Sequence, residues 1–426
     1  MRQSNTLDMA QNVKLISYLD IPGGGQIVVE NCLAFIGHME PPYGTSIVDV
    51  SNTRNPKILS QVSPPSGYSH THKVRVVGDL MFTNVERHKR HFYRKGELIG
   101  ECEKKFIAQN DRPPSEVELS HMLGISSEDL PELREGLARG YDEGGFCIYD
   151  ISDPESPKLI NHHITGGVGV HRFDVDDNYA YISTEMDGFV GNILVIYDIK
   201  DPYNIKEISR WWMPGQNVAD GEKPHWQGQK NRLHHALRDG NRLWASCWHA
   251  GAWIIDIHDI ESPETLGSFD YHPPFIEPTH TFFRIPNVVD GKEIAIIADE
   301  QHGKVAGQPP AFMWIVDVTD PKDIKALSTF HVSELDSPYS SSNGRFGLHQ
   351  IAEKVHGTLI YAAWFSAGLR IIDIADPARP KEAGSFVPKE IYPGYVPQSN
   401  DVDIDDNGTI YLLDRNNGVH ILEYKP

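Results

Sequence analysis

A short apolar block that closes on aspartate recurs along the chain and constrains the fold more than any other feature. One full copy reads Arg370-Ile-Ile-Asp-Ile-Ala-Asp-Pro377. Each copy predicts a strand followed by a tight turn, with two strands before it and usually one after it. Repeats of about 40 to 50 residues with four strands each are typical of propeller blades. The copies begin at Ser46, Cys147, Val195, Trp253, Trp314 and Arg370, with a degenerate copy at Gly418.

The two ends of the chain predict how the ring of repeats closes. The seventh unit, from Asn400 to Tyr424, ends after its third strand, whereas the segment Asn12 to Asp20 is a strand with no unit before it. If the N-terminal strand completes the last blade, no long sheet edge stays open. We therefore predict an all-β fold, a seven-bladed β-propeller spanning 12–426 that is closed by an N-terminal strand.

One unit is interrupted by a segment whose pattern turns helical. The interruption covers 88–143, inside the second blade, and Ser115 followed by Glu118 predicts a capping box at one helix start. The insertion leaves from Glu86, at the end of a second strand. We expect an α-helical insertion that serves as a lid over one face of the propeller or as a homo-oligomer contact.

Charge and composition exclude several classes of partner. The formal net charge is -20, which disfavours nucleic acid and anionic membranes as partners. The four cysteines form no CxxC pair. The stretch from Met1 to Lys14 is polar, without the apolar region of a signal peptide, and no apolar run is long enough to span a bilayer. We expect a cytoplasmic protein.

A histidine stands at the start of the first strand in most units, among 21 histidines in the chain. In a propeller the first strands line the central channel, so these imidazoles are expected to converge on its mouth. The first and seventh units carry Gln26 and Asn400 at the matching place. Neutral imidazole is a good ligand for Zn, Cu, Fe and Ni. The candidate metal ligands are His72, His171, His235, His280 and His349.

The ends of the second strands should lie on the same face as this ring, because the strands are antiparallel. Polar residues at those ends are candidates for catalytic proton transfer. They are Glu86, Glu185, His249 and Glu300. The expected positions of further residues suggest roles for them. We expect His70, His234 and His302 to lie beside the ligands. We expect a substrate to pack against Tyr68, Trp226 and Trp248, and an anionic group to pair with Arg345.

These patterns favour a metal-dependent enzyme acting on a small organic molecule. Oxidoreductase or oxygenase chemistry at Fe or Cu is the leading expectation, with Zn or Mn as further candidates for the ion. The alternatives are a metal-dependent lyase or hydrolase, in which the ion acts as a Lewis acid, and a non-catalytic propeller that serves as an interaction scaffold. A structural role for the histidines, as in WD-repeat propellers, is a further alternative.

The repeated Ile-Val-Asp-Val and Ile-Ile-Asp-Ile blocks resemble the LVIVD-repeat family of β-propellers. That resemblance covers essentially all of the chain outside 88–143 and implies the fold rather than a function. The segment from Leu243 to Asp256 is also similar to a strand–His-Gly–strand segment of the selenium-binding protein and methanethiol oxidase group. That likeness implies a seven-bladed propeller with a histidine-rich, copper-linked centre. Carotenoid oxygenases, with four histidines on iron at a propeller axis, are analogous at the level of the fold.

Overall fold

Antiparallel β-sheet makes up most of the molecule. The computed structural model describes residues 9–226, 229–303, 305, 307–391, 394–416 and 418–426. Its strands form sheets in which sequence neighbours pair in meander order, as in a β-propeller. The all-β class and the propeller architecture predicted from the repeats are thereby confirmed.

The strands before the insertion and around it form two four-stranded units. In the chain's first segment β1 (Met9–Gln11) and β2 (Val13–Leu19) precede the first unit. The first unit is β3 (Gly24–Glu30), β4 (Leu33–His38), β5 (Thr45–Asp49) and β6 (Lys57–Val62). The second is the divided inner strand β7 (Ser69–His70) and β8 (Val74–Val77), with β9 (Leu80–Arg87), β10 (Gly145–Asp150) and β11 (Lys158–Ile164).

Three further units follow without helical interruption. They are β12 (Val170–Val175), β13 (Tyr179–Glu185), β14 (Asn192–Asp198) and β15 (Lys206–Trp211); β16 (Asn231–Asp239), β17 (Arg242–Trp248), β18 (Ala252–Asp256) and β19 (Glu264–Phe269); and β20 (Thr279–Val289), β21 (Lys292–Asp299), β22 (Met313–Asp317) and β23 (Lys325–Phe330). The last two of these units are joined by one residue pair, Trp248 with Thr279.

The C-terminal strands complete the set, and β2 pairs with the last of them. They are β24 (Leu348–Ile351), β25 (Leu359–Trp364), β26 (Gly368–Asp373) and β27 (Lys381–Val387), followed by β28 (Ser399–Ile404), β29 (Thr409–Asp414) and β30 (Gly418–Tyr424). Strand β2 lies antiparallel to β30, and β1 lies against β27. The carboxylate of Asp401 accepts the Ile27 amide at 3.0 Å, which ties β28 to β3.

The repeated aspartate of each block makes the turn after the third strand. Its side chain accepts the backbone N–H two residues later, as in Asp150 to Ser152 and Asp373 to Ala375, both at 2.9 Å. This Asx geometry offers the backbone a turn in place of further ladder pairing. The apolar residues of the block lie between neighbouring sheets, where Ile255 and Ile372 are fully buried. The repeat therefore encodes both the turn and the packing layer.

The insertion leaves the second unit after β9 and returns at β10. Its helices are α1 (Arg90–Tyr93), α2 (Ile99–Asn110), α3 (Glu116–Leu123) and α4 (Leu130–Arg139), with 3₁₀ turns at Arg94–Leu98 and Ser127–Asp129. The capping box expected at Ser115 and Glu118 is confirmed. Leu119, Leu130 and Leu133 form a small core of their own. Among the residues that the structure describes, no helix has the length and apolar character to cross a membrane.

Candidate metal centre

A β-bulge near the start of most inner strands sets the direction of the residues that face the channel. The inner strand of the second unit is instead divided, and His72 lies between β7 and β8. In β12 the ladder with β13 shifts by one residue between Val170 and Arg172, so His171 is the extra, unpaired residue. The same shift falls at His280 and at His349. A bulge leaves its extra residue out of the ladder and re-aims the side chain. The bulge therefore turns the histidine side chain toward the channel.

The inner strands β3, β16 and β28 have a similar irregularity. In β28 the extra residue is Asn400, and in β3 it is Gly25. The wider shift in β16 lies between Asn231 and His235 and includes His234. A Cβ on Gly25 would lie 2.7 Å from the His72 carbonyl oxygen, so no side chain fits there without displacing that neighbour.

Five imidazoles form an arc around the channel. Ring centroids are 5.4 Å apart from His72 to His171 and 4.8 Å from His171 to His234. They are 4.1 Å apart from His234 to His280 and 4.4 Å from His280 to His349. The arc is densest around the last three rings.

Hydrogen bonds at Nδ1 fix the tautomers of those three histidines. The Nδ1–H of His234 donates to the His280 carbonyl at 2.8 Å, and that of His349 donates to the Asn400 carbonyl. His280 donates from Nδ1 to the Thr281 hydroxyl at 2.9 Å, because that hydroxyl itself donates onward to Gln350. Nε2 of His280 and of His349 is then left with a lone pair, the arrangement typical of metal-ligating histidines. Nε2 of His234 lies 3.1 Å from Nε2 of His171.

The carboxylate of Glu300 lies among these lone pairs. Its oxygens are 4.0 Å from Nε2 of His280 and 3.7 Å from Nε2 of His349. Ligand atoms of His234, His280 and Glu300 all lie within 4.8 Å of one another, and the three residues are buried. Ligands at 2.0–2.2 Å from one ion lie about 3 to 4 Å from each other. Ligand atoms at this spacing form a site suited to a cation.

A second group of histidines surrounds Glu86. Its Oε2 is 3.1 Å from Nε2 of His70 and 3.1 Å from Nδ1 of His171, and its Oε1 is bound by Arg90. His72 belongs to this group by distance. The amide of Asn84 donates to its Nδ1 at 3.2 Å, however, which leaves the proton on Nε2. This group thus has fewer free lone pairs than the group at Glu300.

Burial keeps the imidazoles neutral. Desolvation lowers the pKa of His72, His171, His234, His280 and His349 well below 6.5, and neighbouring positive groups lower it further. Neutral imidazole is the form that binds metals.

The carboxyl of Glu300, unlike these imidazoles, stays charged although it is buried. Burial raises its pKa, but the charge and hydrogen bond of His302, together with His349 and His280, outweigh burial and hold the pKa well below its usual range. Arg345 also donates to it at 2.7 Å. The buried carboxylate is therefore ionised, and neutral imidazoles surround it.

The two groups line one cavity of about 200 Å³. Arg90, from the first helix of the insertion, forms part of its wall and contacts His171 through Nη1 at 3.0 Å. Trp248 and Arg415 close other sides. The insertion thus covers this cavity at its first turn, next to the strand end from which it departs.

His235, a candidate ligand from the sequence, faces another environment. It pairs with Ser246 across the ladder with β17, and its Nε2 lies 3.5 Å from a Glu353 oxygen. Glu353 also binds Arg172 at 3.2 Å, within an ion-pair cluster that lines a separate cavity. The bulge selects the preceding residue, His234, for the arc. In a His-His pair the sequence alone cannot tell which residue will be the extra one.

Two of the candidate proton-transfer residues also lie outside the cavity. Glu185 binds Arg94 of the insertion and accepts the Val168 amide at 3.2 Å. His249 accepts the backbone N–H of Lys230 at 2.9 Å. Both residues hold loops in place. Glu86 and Glu300, by contrast, are inside the cavity.

Some cavity residues lie outside the candidate ligands and proton-transfer residues, and their signals in the sequence differ in strength. His70 was expected beside the ligands, since it stands two residues before His72, the spacing that puts side chains on one face of a strand. Arg90 and Arg415 gave no signal, because each reaches the cavity from a loop or helix start. Tyr68 is 45 % exposed and stacks under Arg139, away from the cavity.

Solved structures share the fold at low sequence identity. A chain of the mitotic checkpoint complex aligns over 100 % of this chain and 94 % of its own, with a TM-score of 0.54 and 8 % identity. A proposed 6-phosphogluconolactonase of Bacteroides uniformis aligns over 90 % and 89 %, with 0.54 and 11 %. Sqt1 of Saccharomyces cerevisiae aligns over 97 % and 88 %, with 0.51 and 9 %. At these identities the likeness concerns the fold alone.

Sequence comparison gives a family. No curated protein matches the chain closely enough to be reported as a relative. The model of the LVIVD repeat matches residues 140–165 and 354–387. Both matched segments contain the apolar block and its Asx turn, β10 in the first and β26 in the second. The chain therefore carries LVIVD repeats, which support its place in the LVIVD-repeat family of propellers.

Proposed function

We propose that the protein binds a transition metal ion through His234, His280 and Glu300, with His349 as a further ligand, and uses it as an enzyme. The observation that carries the proposal is that buried ligand atoms of His234, His280 and Glu300 lie within 4.8 Å of one another. Nε2 of His349 lies 3.7 Å from the same carboxylate. Imidazole nitrogens and a carboxylate grouped in this way are the ligands that a transition metal ion takes.

We propose an oxidoreductase or oxygenase that acts on a small organic molecule. Two histidines and a carboxylate with open positions are the ligand set of non-haem Fe(II) oxygenases, which favours Fe. Cu, Zn and Mn accept imidazole as well. A bound ion would supply redox or Lewis-acid chemistry. A metal-dependent lyase or hydrolase is the second candidate, since the same ligand set can hold a metal-bound water.

Proton transfer is assigned to Glu86 and His70. The Nδ1–H of His70 donates to the Met39 carbonyl at 3.1 Å, so any proton between its Nε2 and Glu86 is an additional one. Arg90 neutralises the other Glu86 oxygen. A carboxylate that shares a proton with an imidazole beside the proposed ion is suited to general acid–base catalysis.

Metal analysis of the purified protein tests the proposal. We expect at least one equivalent of transition metal, most of which is lost in His280→Ala and in Glu300→Gln and retained in the surface control His258→Ala. Anaerobic protein loaded with Fe(II) should bind nitric oxide and give the EPR signal of an iron–nitrosyl with an open coordination position. Wild-type protein that takes up no metal, or an equal metal content in all variants, would support the scaffold alternative instead.

We propose further that the four-stranded units form a closed ring of seven blades in which β2 is the outer strand of the last blade. The support is the antiparallel pairing of β2 with β30 and the bond from Ile27 to Asp401 between the first and last units. A cytoplasmic location is also proposed. Its support is that the four cysteines Cys32, Cys102, Cys147 and Cys247 are free thiols.

A further inference from the structure

Next to the histidine cavity lies a second cavity of about 440 Å³. Trp248 belongs to the walls of both, as does His91, so the two cavities adjoin. Apolar residues Leu98, Val190 and Trp226 line the outer cavity together with Arg232. Its volume lies within the range of small-molecule sites, which are mostly apolar with a few placed polar groups.

Arg232 is the unusual residue in this wall. Its side chain is buried, with 7 % of the residue exposed, and its guanidinium lies 3.8 Å from the Trp248 ring centroid. Its Nε and Nη2 have no hydrogen-bond partner among the described residues. These two groups form the side-on edge by which a guanidinium binds a carboxylate in a bidentate manner. Trp248 adds a third buried donor without a partner, its indole Nε1.

Among the residues that the structure describes, no carboxylate forms an ion pair with Arg232. The nearest carboxylates that act on it, Glu185 and Glu300, are bound by Arg94 and by Arg345. A buried charge and three buried donors without acceptors carry a free-energy cost that an anionic ligand would remove.

The backbone at Trp248 gives an independent indication. Its φ is 51°, in the left-handed region that bulky residues rarely adopt. Strain of this kind persists where the surrounding structure enforces it and is concentrated at functional sites. Here it holds the indole between the two cavities, with its ring under Arg232.

We propose that Arg232 and the indole N–H of Trp248 bind the carboxylate of an organic substrate, whose apolar body occupies the outer cavity and extends toward the histidines. The proposal rests on the proposed function for the identity of the ligand as a substrate, but the binding itself does not require the metal. Lys230 and Arg94 also line or flank the outer cavity and add positive charge, although the whole chain is strongly acidic. An organic anion is therefore attracted to this region and repelled elsewhere.

Calorimetric titration with matched pairs of ligands tests the proposal. The probes are benzoate, phenylacetate and 3-phenylpropanoate, each with its primary amide, added to the purified full-length protein. We expect at least one carboxylate to bind and its amide to bind more weakly. Arg232→Met should lower the affinity for that carboxylate about 10- to 100-fold, because the variant loses a bidentate charged contact. Arg232→Lys, which keeps the charge but not the two-pronged edge, should also weaken it, and Trp248→Phe should do so to a smaller extent.

Arg238→Met is the matched control, because Arg238 lies on the same strand and pairs with Asp176 at 2.8 Å. It should leave carboxylate affinity unchanged. Equal binding of acid and amide, an equal loss in Arg238→Met, or no binding of any carboxylate at millimolar concentration overturns the proposal. Metal content measured on the same samples separates the two hypotheses. If the protein binds a carboxylate through Arg232 but contains no metal, only the proposed function is contradicted. If the protein contains metal and Arg232→Met binds the carboxylate as well as the wild type does, only the carboxylate site is contradicted.

Discussion

At the scale of single residues, the chemistry of the candidate centre depends on which nitrogen of each imidazole is occupied. Backbone carbonyls and one hydroxyl take the Nδ1–H of His234, His280 and His349. Nε2 of His280 and of His349 is thereby directed to Glu300, whereas Nε2 of His234 also contacts His171. The residue types were predictable from the sequence. The tautomers were not, because they depend on carbonyls that belong to neighbouring strands.

The adjacent histidines of β16 provide a direct test. We expect His234→Ala to weaken metal binding by more than about 100-fold, since even the loss of a residue that only orients a ligand costs 10- to 100-fold. His235→Gln should leave metal affinity unchanged, because His235 lies beside Glu353 and outside the centre. Competition titration with a chromophoric chelator measures both. Equal losses in the two variants would contradict the assignment.

At the scale of the element, the bulge explains both the success and the failure of the sequence-based interpretation. Position along the repeat predicted that His171, His280 and His349 face the channel, and these histidines lie on one arc of rings in which His280 and His349 are adjacent. It also predicted a helical segment after Glu86 from its spacing. Alternation gives two faces per strand, so a one-residue shift moves a side chain to the other face. The size of the register shift in β16 depends on how that strand pairs with β17, so the sequence of β16 alone does not predict it.

Gly25 occupies the bulge position of the first unit, and its lack of a side chain makes room for His72. Gly25→Ala would bring a Cβ to 2.9 Å from the His72 Cβ and to 2.7 Å from its carbonyl oxygen. Overpacking of this kind costs about 1 to 3 kcal/mol. We expect a lower free energy of unfolding, measured with urea, and a displaced His72. Gly67→Ala is the control, because nothing lies within 4 Å of its added Cβ, and a similar loss there would point to a general effect of the substitution.

At the scale of the whole molecule, buried histidines dominate the response to acid. Burial lowers the pKa of His38 and His420 to about 4, and it lowers the ring histidines further. Asp401 and Asp403 act in the opposite sense, since burial raises their pKa to about 7 and about 6. The carboxyls whose pKa is raised are fewer than the histidines whose pKa is lowered.

The sign of the pH dependence follows from proton uptake. Between pH 6.5 and about 4 the unfolded chain protonates histidines that the folded chain keeps neutral, so stability falls as the pH falls. Each such histidine adds a slope of up to about 1.4 kcal/mol per pH unit. Urea unfolding of the metal-free protein at pH 7, 6 and 5 should therefore give decreasing free energies. A constant or increasing value would contradict the burial of these imidazoles as neutral groups.

The bulge also separates the chemistry of the axis from the stability of the blades. The residue that faces the channel is the one that the ladder omits, so its identity is not constrained by strand pairing. Asn400 already occupies one such position, where its amide donates to the Gly25 carbonyl at 2.7 Å. Except at Gly25, where a side chain would displace His72, the residue at such a position can change without changing the pairing of the strands. A protein of this design can acquire a new ligand set through single substitutions, and Asn400→His is the first that an engineer would make.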